Sequence, residues 1–504
     1  MAPSHSPAPP AADLPGDVAA AWAAMCGPVR ERYAADGARG RARAFMLRWI
    51  EWEARRRGAG AAVGGHTLRP DARILAIRPD HLGDALLTTP ALRLIKEALR
   101  TVDVTVLAGP WGADVPAHCP AVDRVRVCPF PGFSRVDTGG AVARLRRGIA
   151  GYGLLLSTAA SLAAERYDLA INFRPDFWWG AALAALTAIP HRLGYATRET
   201  APFLTRGLAL ERPLVGAGGR ARPRRHAAEH SLALAREVLA LARREPPAGF
   251  EAGMAYEPTP DERAEAWRLW RASDLDEAPA VVAIHPSPGE PAKRWHPEGF
   301  GAVADHLAGR YGARIVVTGG PADVDEAGRV ARACRLKPLV LAGRTTFGVL
   351  AALLERCRFV LGTDNGALHL ATARGVPTLR LFGPTDEQVW GAWRGDGCGA
   401  ATGLSQDPSA PRLPTWELPQ AGRQVAHQVR HWGSGGKAEC AHGSPPAITV
   451  TSGRACAPCH RLDLPPWEVA SGSAEPAYPC LQDIAVDRVI AAAEALWSQT
   501  SPPC

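Results

Sequence analysis

Lysine is nearly missing from this chain: only 4 of its 58 basic residues are lysine, and the rest are arginine. A lysine that survives such a bias marks a place where a compact ammonium matters. Cysteine is also scarce, at 11 in 504 residues, which excludes a small disulfide-stapled scaffold. Aromatics make up 7% and methionines number 4. No run approaches the roughly 20 apolar residues that a membrane span needs. The longest uncharged stretch, Gly148 to Ala164, is diluted by Gly, Ser and Thr and reads as a core helix. Met1 to Asp17 has no basic start followed by an apolar core, so no secretory signal is expected. There is no G-x-G-x-x-G fingerprint, no complete Walker A, no G-x-S-x-G elbow and no H-E-x-x-H. Dinucleotide enzymes of the usual kind, P-loop NTPases, serine hydrolases and zincins therefore lose their sequence signal.

What is present is a globular composition, 47% hydrophobic and 21% charged, over a length that suits two or three domains. The net charge of +8 is unevenly spread. Residues 1–70 and 71–250 carry +4 and +8, whereas 251–400 and 401–504 each carry −2. An anionic partner should meet the first half. Nothing beyond charge argues for nucleic acid.

Residues 1–16 are expected to be disordered, Asp17 to Arg57 helical, and Gly58 to Gly65 a linker. The helix is read as an extension packed on the main body or as a basic helix resting on an anionic bilayer. From Arg73 onward, short apolar runs alternate with helical stretches. The runs are Arg73 to Arg78, Val102 to Ala108, Val125 to Cys128 and Tyr167 to Phe173. The pattern stops at the Pro/Gly-rich stretch Glu245 to Pro260 and resumes with Val281 to His285, Ala313 to Thr318, Leu339 to Ala342, Phe359 to Gly362 and Thr378 to Phe382 as the last strand. Alternation of this kind predicts two α/β domains, each a doubly wound parallel sheet. The organisation expected is 1–70 extension and linker, 71–250 first domain, 251–400 second domain, and 401–504 a Cys/Pro/Gly-rich tail closed by a helix.

Three loops follow strands and open helices, where such sheets bind ligands. Arg78-Pro-Asp-His-Leu-Gly-Asp84 places Asp84 near a helix N-terminus, as a cap or as a carboxylate able to take a proton from a hydroxyl. His285-Pro-Ser287-Pro-Gly289-Glu-Pro-Ala-Lys293-Arg294 supplies a hydroxyl, glycine and positive charge suited to phosphate. Gly362-Thr363-Asp364-Asn365-Gly366-Ala367-Leu-His369 adds a hydroxyl, a carboxylate and an imidazole at another helix start.

Taken together, the loops resemble the heptosyltransferases of glycosyltransferase family nine (ADP-heptose:lipopolysaccharide heptosyltransferases). The carrying segments are Leu82-Gly-Asp84 with Thr89-Pro-Ala-Leu92, His285-Pro with Lys293-Arg-Trp295-His-Pro297, and Asp364-Asn-Gly366-Ala-Leu-His369 with Phe382-Gly-Pro-Thr385. Tyr167-Asp-Leu-Ala-Ile and Arg192-Leu-Gly-Tyr195 add to it. The likeness spans about residues 72–390. It implies two Rossmann-like domains facing across a cleft, the GT-B arrangement, with the acceptor in the first and a nucleotide-sugar, ADP-heptose above all, in the second. It implies an inverting transfer to a lipopolysaccharide-core or similar glycan hydroxyl that needs no metal or cofactor.

By position, Asp84 matches the proposed general base and Lys293 the residue neutralising the leaving diphosphate. Ser287, Thr363, Asp364, Asn365 and Gly366 match donor contacts supported by His369, and Asp323 stands where the family has a Glu reaching the ribose. Asn365 replaces the usual Thr, and Pro288 alters the Ser287 loop. Two other readings stay open: a non-catalytic nucleotide-sugar-binding protein, and a GT-B enzyme using another nucleotide-sugar. The expected partners are the donor and an anionic glycolipid or polysaccharide acceptor, with peripheral membrane contact. The expected location is the cytoplasm or the inner face of the cytoplasmic membrane. In the tail, Cys440, Cys456, Cys459 and Cys480 could complete a structural zinc site, with His442 and His460 as alternative ligands; a disulfide or plain thiols are the other readings.

Overall fold

The computed structural model describes residues 38–59, 67–133, 141–210, 225–393, 395, 429–432, 445–452 and 479–500. The expected disorder of 1–16, the first part of the Asp17–Arg57 helix and most of the Gly58–Gly65 linker lie outside these residues. So do Cys440, Cys456 and Cys459 with His442 and His460.

The first sheet has the strands β1 (Arg73–Arg78), β2 (Asp103–Ala108), β3 (Arg124–Val127), β4 (Leu169–Asn172), β5 (His191–Ala196) and β6 (Arg206–Ala209). All pair parallel in the order β3-β2-β1-β4-β5-β6. The chain reverses direction of winding between β1 and β4, which opens a crevice at their carboxyl ends. β1, β2 and β4 are buried and mostly apolar because helices cover both faces. The edge strand β3 alternates Arg124-Val125-Arg126-Val127 and stays largely exposed, a charged edge that discourages further pairing. The described helices of this half are α1 (Ala38–Ala54), α2 (Leu82–Leu86), α3 (Thr89–Ala98), α4 (Ala141–Ala163), α5 (Trp178–Leu186) and α6 (Ala227–Leu241), beside shorter turns.

The connection from Glu245 to Pro260 is not loose. Ala252 and Tyr256 are fully buried, and Tyr256 donates to Asp114 Oδ2 at 2.6 Å. Arg93 donates to the Gly253 carbonyl at 2.9 Å and Trp393 to the Ala252 carbonyl at 2.5 Å. One apolar core runs from Ile74 and Leu92 through this segment to Val281 and Leu350. Each such Leu or Ile contributes about 1.5–3 kcal/mol by burial, so the two halves are firmly joined here.

After α7 (Pro260–Arg271), the second sheet comprises β7 (Val281–His285), β8 (Arg314–Val317), β9 (Leu339–Val340), β10 (Phe359–Thr363), β11 (Thr378–Phe382), β12 (Val429–Trp432) and β13 (Ala447–Thr451). Its order is β12-β13-β11-β10-β7-β8-β9, parallel except for β12. The winding again reverses, between β7 and β10. The helices are α8 (Pro297–Tyr311), α9 (Val324–Ala333), α10 (Phe347–Leu354), α11 (Gly366–Ala373) and α12 (Val486–Gln499), beside shorter turns. Thr378 to Phe382 is therefore not the last strand: β13 pairs with it residue for residue, from Thr378 with Ala447 to Phe382 with Thr451. Two doubly wound sheets facing one another agree with the expected fold class. No described helix is long and apolar enough to cross a membrane.

Candidate active site

The first half of the site sits where β1 and β4 end. Arg78, the last residue of β1, is buried and reaches three partners. Its Nη1 donates to the Phe173 carbonyl at 3.1 Å, and its Nε lies 3.0 Å from Asp80 Oδ2. Its Nη2 lies 3.4 Å from Asp84 Oδ1. Arg174, just past β4, pairs with the buried Asp80 on one side and with Asp176 at 3.0 Å on the other. Asp80 is thus enclosed by two guanidiniums, while Asp84 shares only one of them.

Asp84 stands in the first turn of α2, whose N-terminus favours an anion. Burial and the negative charge of Asp80 nevertheless push its carboxyl up from 3.8 to about 6. Arg78, Arg174 and Lys293 pull in the other direction and only partly offset this. A carboxylate of that basicity is ionised at neutral pH and still a competent proton acceptor.

The second half is built at the ends of β7 and β10. Lys293, in the turn Pro291–Lys293, donates to Asp364 Oδ2 at 2.7 Å, and the Thr385 hydroxyl donates to the same oxygen at 2.9 Å. Burial pushes the Asp364 carboxyl upward. The charge of Lys293 and these two hydrogen bonds outweigh it and hold the group below the ordinary carboxylate range. Asn365 caps α11, accepting from the Leu368 N–H at 3.2 Å, and donates to the His285 carbonyl at 3.3 Å. His285 Nδ1 lies 2.9 Å from the Thr318 hydroxyl, and burial drives its pKa down to about 4. His369 is kept neutral by burial and by the charge of Arg380 behind it.

Ser287 Oγ, Thr363 Oγ1 and His369 Nδ1 are buried here without a hydrogen-bond partner among the described residues. Such atoms cost about 1–3 kcal/mol each when left unpaired. Their grouping at one sheet edge suits a ligand that would satisfy them.

The two halves meet at the starts of α2 and α11. A Cβ on Gly366 would lie 3.2 Å from the Gly83 backbone nitrogen, and one on Gly83 would lie 3.3 Å from the Gly366 Cα and 3.4 Å from His369 Cδ2. A side chain at either position would push these backbones apart by a few tenths of an ångström. That contact sets the Asp84 loop against Gly366 and His369, and the charge of Lys293 bears on Asp84. Asp323 is set apart by its task. Its Oδ2 accepts from the Gly320 N–H at 2.7 Å and caps the turn before α9, and its charge bears on His285.

Arg78, Asp80, Arg174 and Thr385 belong to the site without having been singled out from sequence. The first two lie inside the Asp84 loop and Thr385 ends the Phe382-Gly-Pro-Thr385 segment. Position at a strand end was the available signal.

Among the described residues no group of three or more His, Cys, Asp or Glu could hold a metal. Cys480 lies in the short turn Pro479–Gln482, packed beside Gly383, and its three proposed co-ligands lie outside the described residues.

The chain is similar to known glycosyltransferases. The model of glycosyltransferase family 9 (heptosyltransferase) aligns with residues 155–407. Lipopolysaccharide heptosyltransferase 3 of Escherichia coli is 28% identical over 324 residues, covering 62% of this chain and 83% of the relative. The structure of a family 9 glycosyltransferase from Veillonella parvula superposes with a TM-score of 0.53 at 26% identity, over 65% of this chain and 86% of that one. The ADP-heptose lps heptosyltransferase II structure from E. coli shares the fold with a TM-score of 0.54 at 18% identity, over 85% and 99% of the two chains.

Proposed function

Because the chain belongs to glycosyltransferase family 9 (heptosyltransferase), we propose that it moves a heptose from ADP-heptose to a hydroxyl of a lipopolysaccharide-core or similar anionic glycan, inverting the anomeric centre without a metal. The E. coli relative named for lipopolysaccharide heptose transfer supports the acceptor class. The observation that carries the reading is the placement of Asp84, a carboxylate of raised basicity, against the Lys293–Asp364 pair and the three unpartnered polar atoms.

In this mechanism Asp84 takes the proton of the acceptor hydroxyl. The oxygen attacks the anomeric carbon in line as the bond to the β-phosphate oxygen breaks, and the nucleoside diphosphate leaves with that electron pair. Lys293 and the N-terminus of α11 meet the growing negative charge. Ser287, Thr363 and His369 complete the donor contacts, Asn365 and Gly366 shape the loop that holds them, and Asp323 lies toward the ribose. Basic charge in residues 1–250 suits an anionic, lipid-linked acceptor and supports a working position at the inner face of the cytoplasmic membrane. A structural zinc at Cys440, Cys456, Cys459 and Cys480 would stay outside this chemistry.

The test is ADP release from ADP-heptose in the presence of lipopolysaccharide-core acceptor, with and without a chelator. Asp84→Asn should bind donor normally and lose transfer. Full transfer by that variant removes Asp84 from the role of base, and loss of activity with the chelator that added magnesium or manganese restores removes the metal-free mechanism.

A further inference from the structure

α1 has two apolar faces where a packed helix needs one. Leu47, Ile50 and Ala54 face inward, with Ile50 and Ala54 fully buried against α5 and the face of β1. On the opposite side Phe45, Trp49 and Trp52 are 69%, 38% and 59% exposed. At roughly 100° per residue these three lie within about 60° of arc, a single aromatic stripe turned away from the protein. Scattered exposed apolar residues need no explanation, but an aligned aromatic group does.

The charge around the stripe is net positive. Residues 38–59 contain seven arginines and two glutamates. Glu51 is tied to Arg55 at 2.6 Å, and Glu53 is buried under Arg56 and Arg57 at 2.7 and 2.8 Å. The exposed groups beside the stripe are therefore Arg48 and the ends of Arg55 and Arg56. The Arg56 guanidinium lies 6.0 Å from the centre of the Trp52 ring.

We propose that α1 is a membrane-docking helix, laying Phe45, Trp49 and Trp52 into the headgroup layer of an anionic bilayer while its arginines meet lipid phosphates. Aromatic rings with an apolar body and a polar edge settle at that interface, and each nearby arginine adds attraction to anionic lipid. At 17 residues and this polarity the helix lies on a bilayer rather than crossing it. The apolar stripe alone would suit many partners; its net cationic border selects an anionic surface. The inference goes beyond the sugar-transfer reading by naming the surface that brings the cleft to a lipid-linked acceptor. Vesicle binding is measured without substrates, so the two readings fail separately.

The experiment is co-sedimentation of the full chain with vesicles of phosphatidylcholine alone, or with about a third phosphatidylglycerol. The full chain should sediment with the anionic vesicles, barely with the neutral ones, and less as salt rises. A Phe45→Ser, Trp49→Ser, Trp52→Ser variant should lose at least about tenfold in vesicle affinity with a change in melting temperature of no more than a few degrees, because Phe45 and Trp52 stand mostly in solvent and only Trp49 is largely covered. Arg48→Gln with Arg55→Gln should weaken binding to anionic vesicles only. No binding by the unaltered chain, or equal binding by the triple variant, overturns the proposal. A triple variant that melts about ten degrees or more earlier, or that turns a dimer into a monomer, also overturns it, since the stripe would then be covered by residues 1–37 or by a second copy.

Discussion

Replacing Asp84 by Asn should make the protein more stable while disabling it. The Asp84 carboxyl is raised from 3.8 to about 6 by burial and by the charge of Asp80. A raised folded-state value means that ionisation costs the folded state. The cost is absent below about pH 4, grows as pH rises toward 6, and is constant above. A shift of about two units corresponds to at most about 3 kcal/mol. About a third of the side chain is open to solvent, 32%, and screening there lowers the figure to about 1–2 kcal/mol. Asparagine keeps the shape and removes the charge, so Asp84→Asn should melt a few degrees higher at about pH 8, with the gain vanishing near pH 4. The buried histidines titrate identically in both proteins and cancel in the difference. Transfer should meanwhile fall by about 10²–10⁴, the usual share of a general base, and in the unaltered enzyme it should decline below about pH 6. The assays are paired melting curves across pH and ADP release under saturating donor. A variant that melts at or below the parent at about pH 8 refutes the electrostatic argument, and undiminished transfer refutes the chemical one.

Lys293→Ala leaves the buried Asp364 carboxylate with Thr385 as its remaining described partner, and should cost about 3 kcal/mol in chemical denaturation and at least about tenfold in ADP affinity by calorimetry. Gly366→Ala puts a methyl 3.2 Å from the Gly83 nitrogen, so the two halves must part by a few tenths of an ångström; kcat should fall several-fold with little change in melting. Burial lowers both His226 and His285 from 6.5 to about 4, so the folded state holds them neutral. Their contribution is full above pH 6.5 and lost as pH falls toward 4, about 3 kcal/mol each at most, against which Asp84 works weakly. Acid melting curves should steepen across that window, and His226→Asn, which keeps an N-cap on α6, should flatten them.

The strands of both sheet centres were legible because a strand covered on both faces is an unbroken apolar run, as in Arg73 to Arg78 and Val281 to His285. The loops after them were legible for the same reason: once the strand is placed, its carboxyl end is placed too. α7 was missed although its start is written plainly. Thr259 accepts from the Glu262 N–H at 3.3 Å, Glu262 returns the bond to the Thr259 N–H at 2.8 Å, and Pro260 opens the helix. β6 carries Arg206-Gly207-Leu208-Ala209 on an exposed edge and has no periodicity to read. In the site, the Asp84 loop could be seen but its tuning could not. Asp80 meets Arg174 from 94 residues away, and only the pairing of β1 with β4 brings them together.

The C-terminal residues show the same limit with a consequence for the donor site. Ala447 to Thr451 is a five-residue apolar run inside a Pro-, Gly- and Ser-rich stretch, too short to distinguish from a loop by composition. In the fold it continues the second sheet beyond β11, and α12 packs beneath it. Trp497 stacks on Tyr311 at 4.3 Å and lies under the Arg358 guanidinium at 4.0 Å. Trp295, two residues after Lys293, is fully buried and donates to the Ile484 carbonyl at 3.2 Å. Gln482 donates to the Arg294 carbonyl at 3.1 Å. The turn that presents Lys293 to Asp364 is therefore held from behind by residues 482–484. Residues that looked like an appendage are part of what fixes the ammonium in place. Cys440 and Cys456 flank β13 in sequence, and Cys480 directly precedes the segment that grips Trp295. Any bond or metal joining those cysteines would act on the sheet and the Lys293 turn together, which ties a structural role for them to the geometry of the donor site.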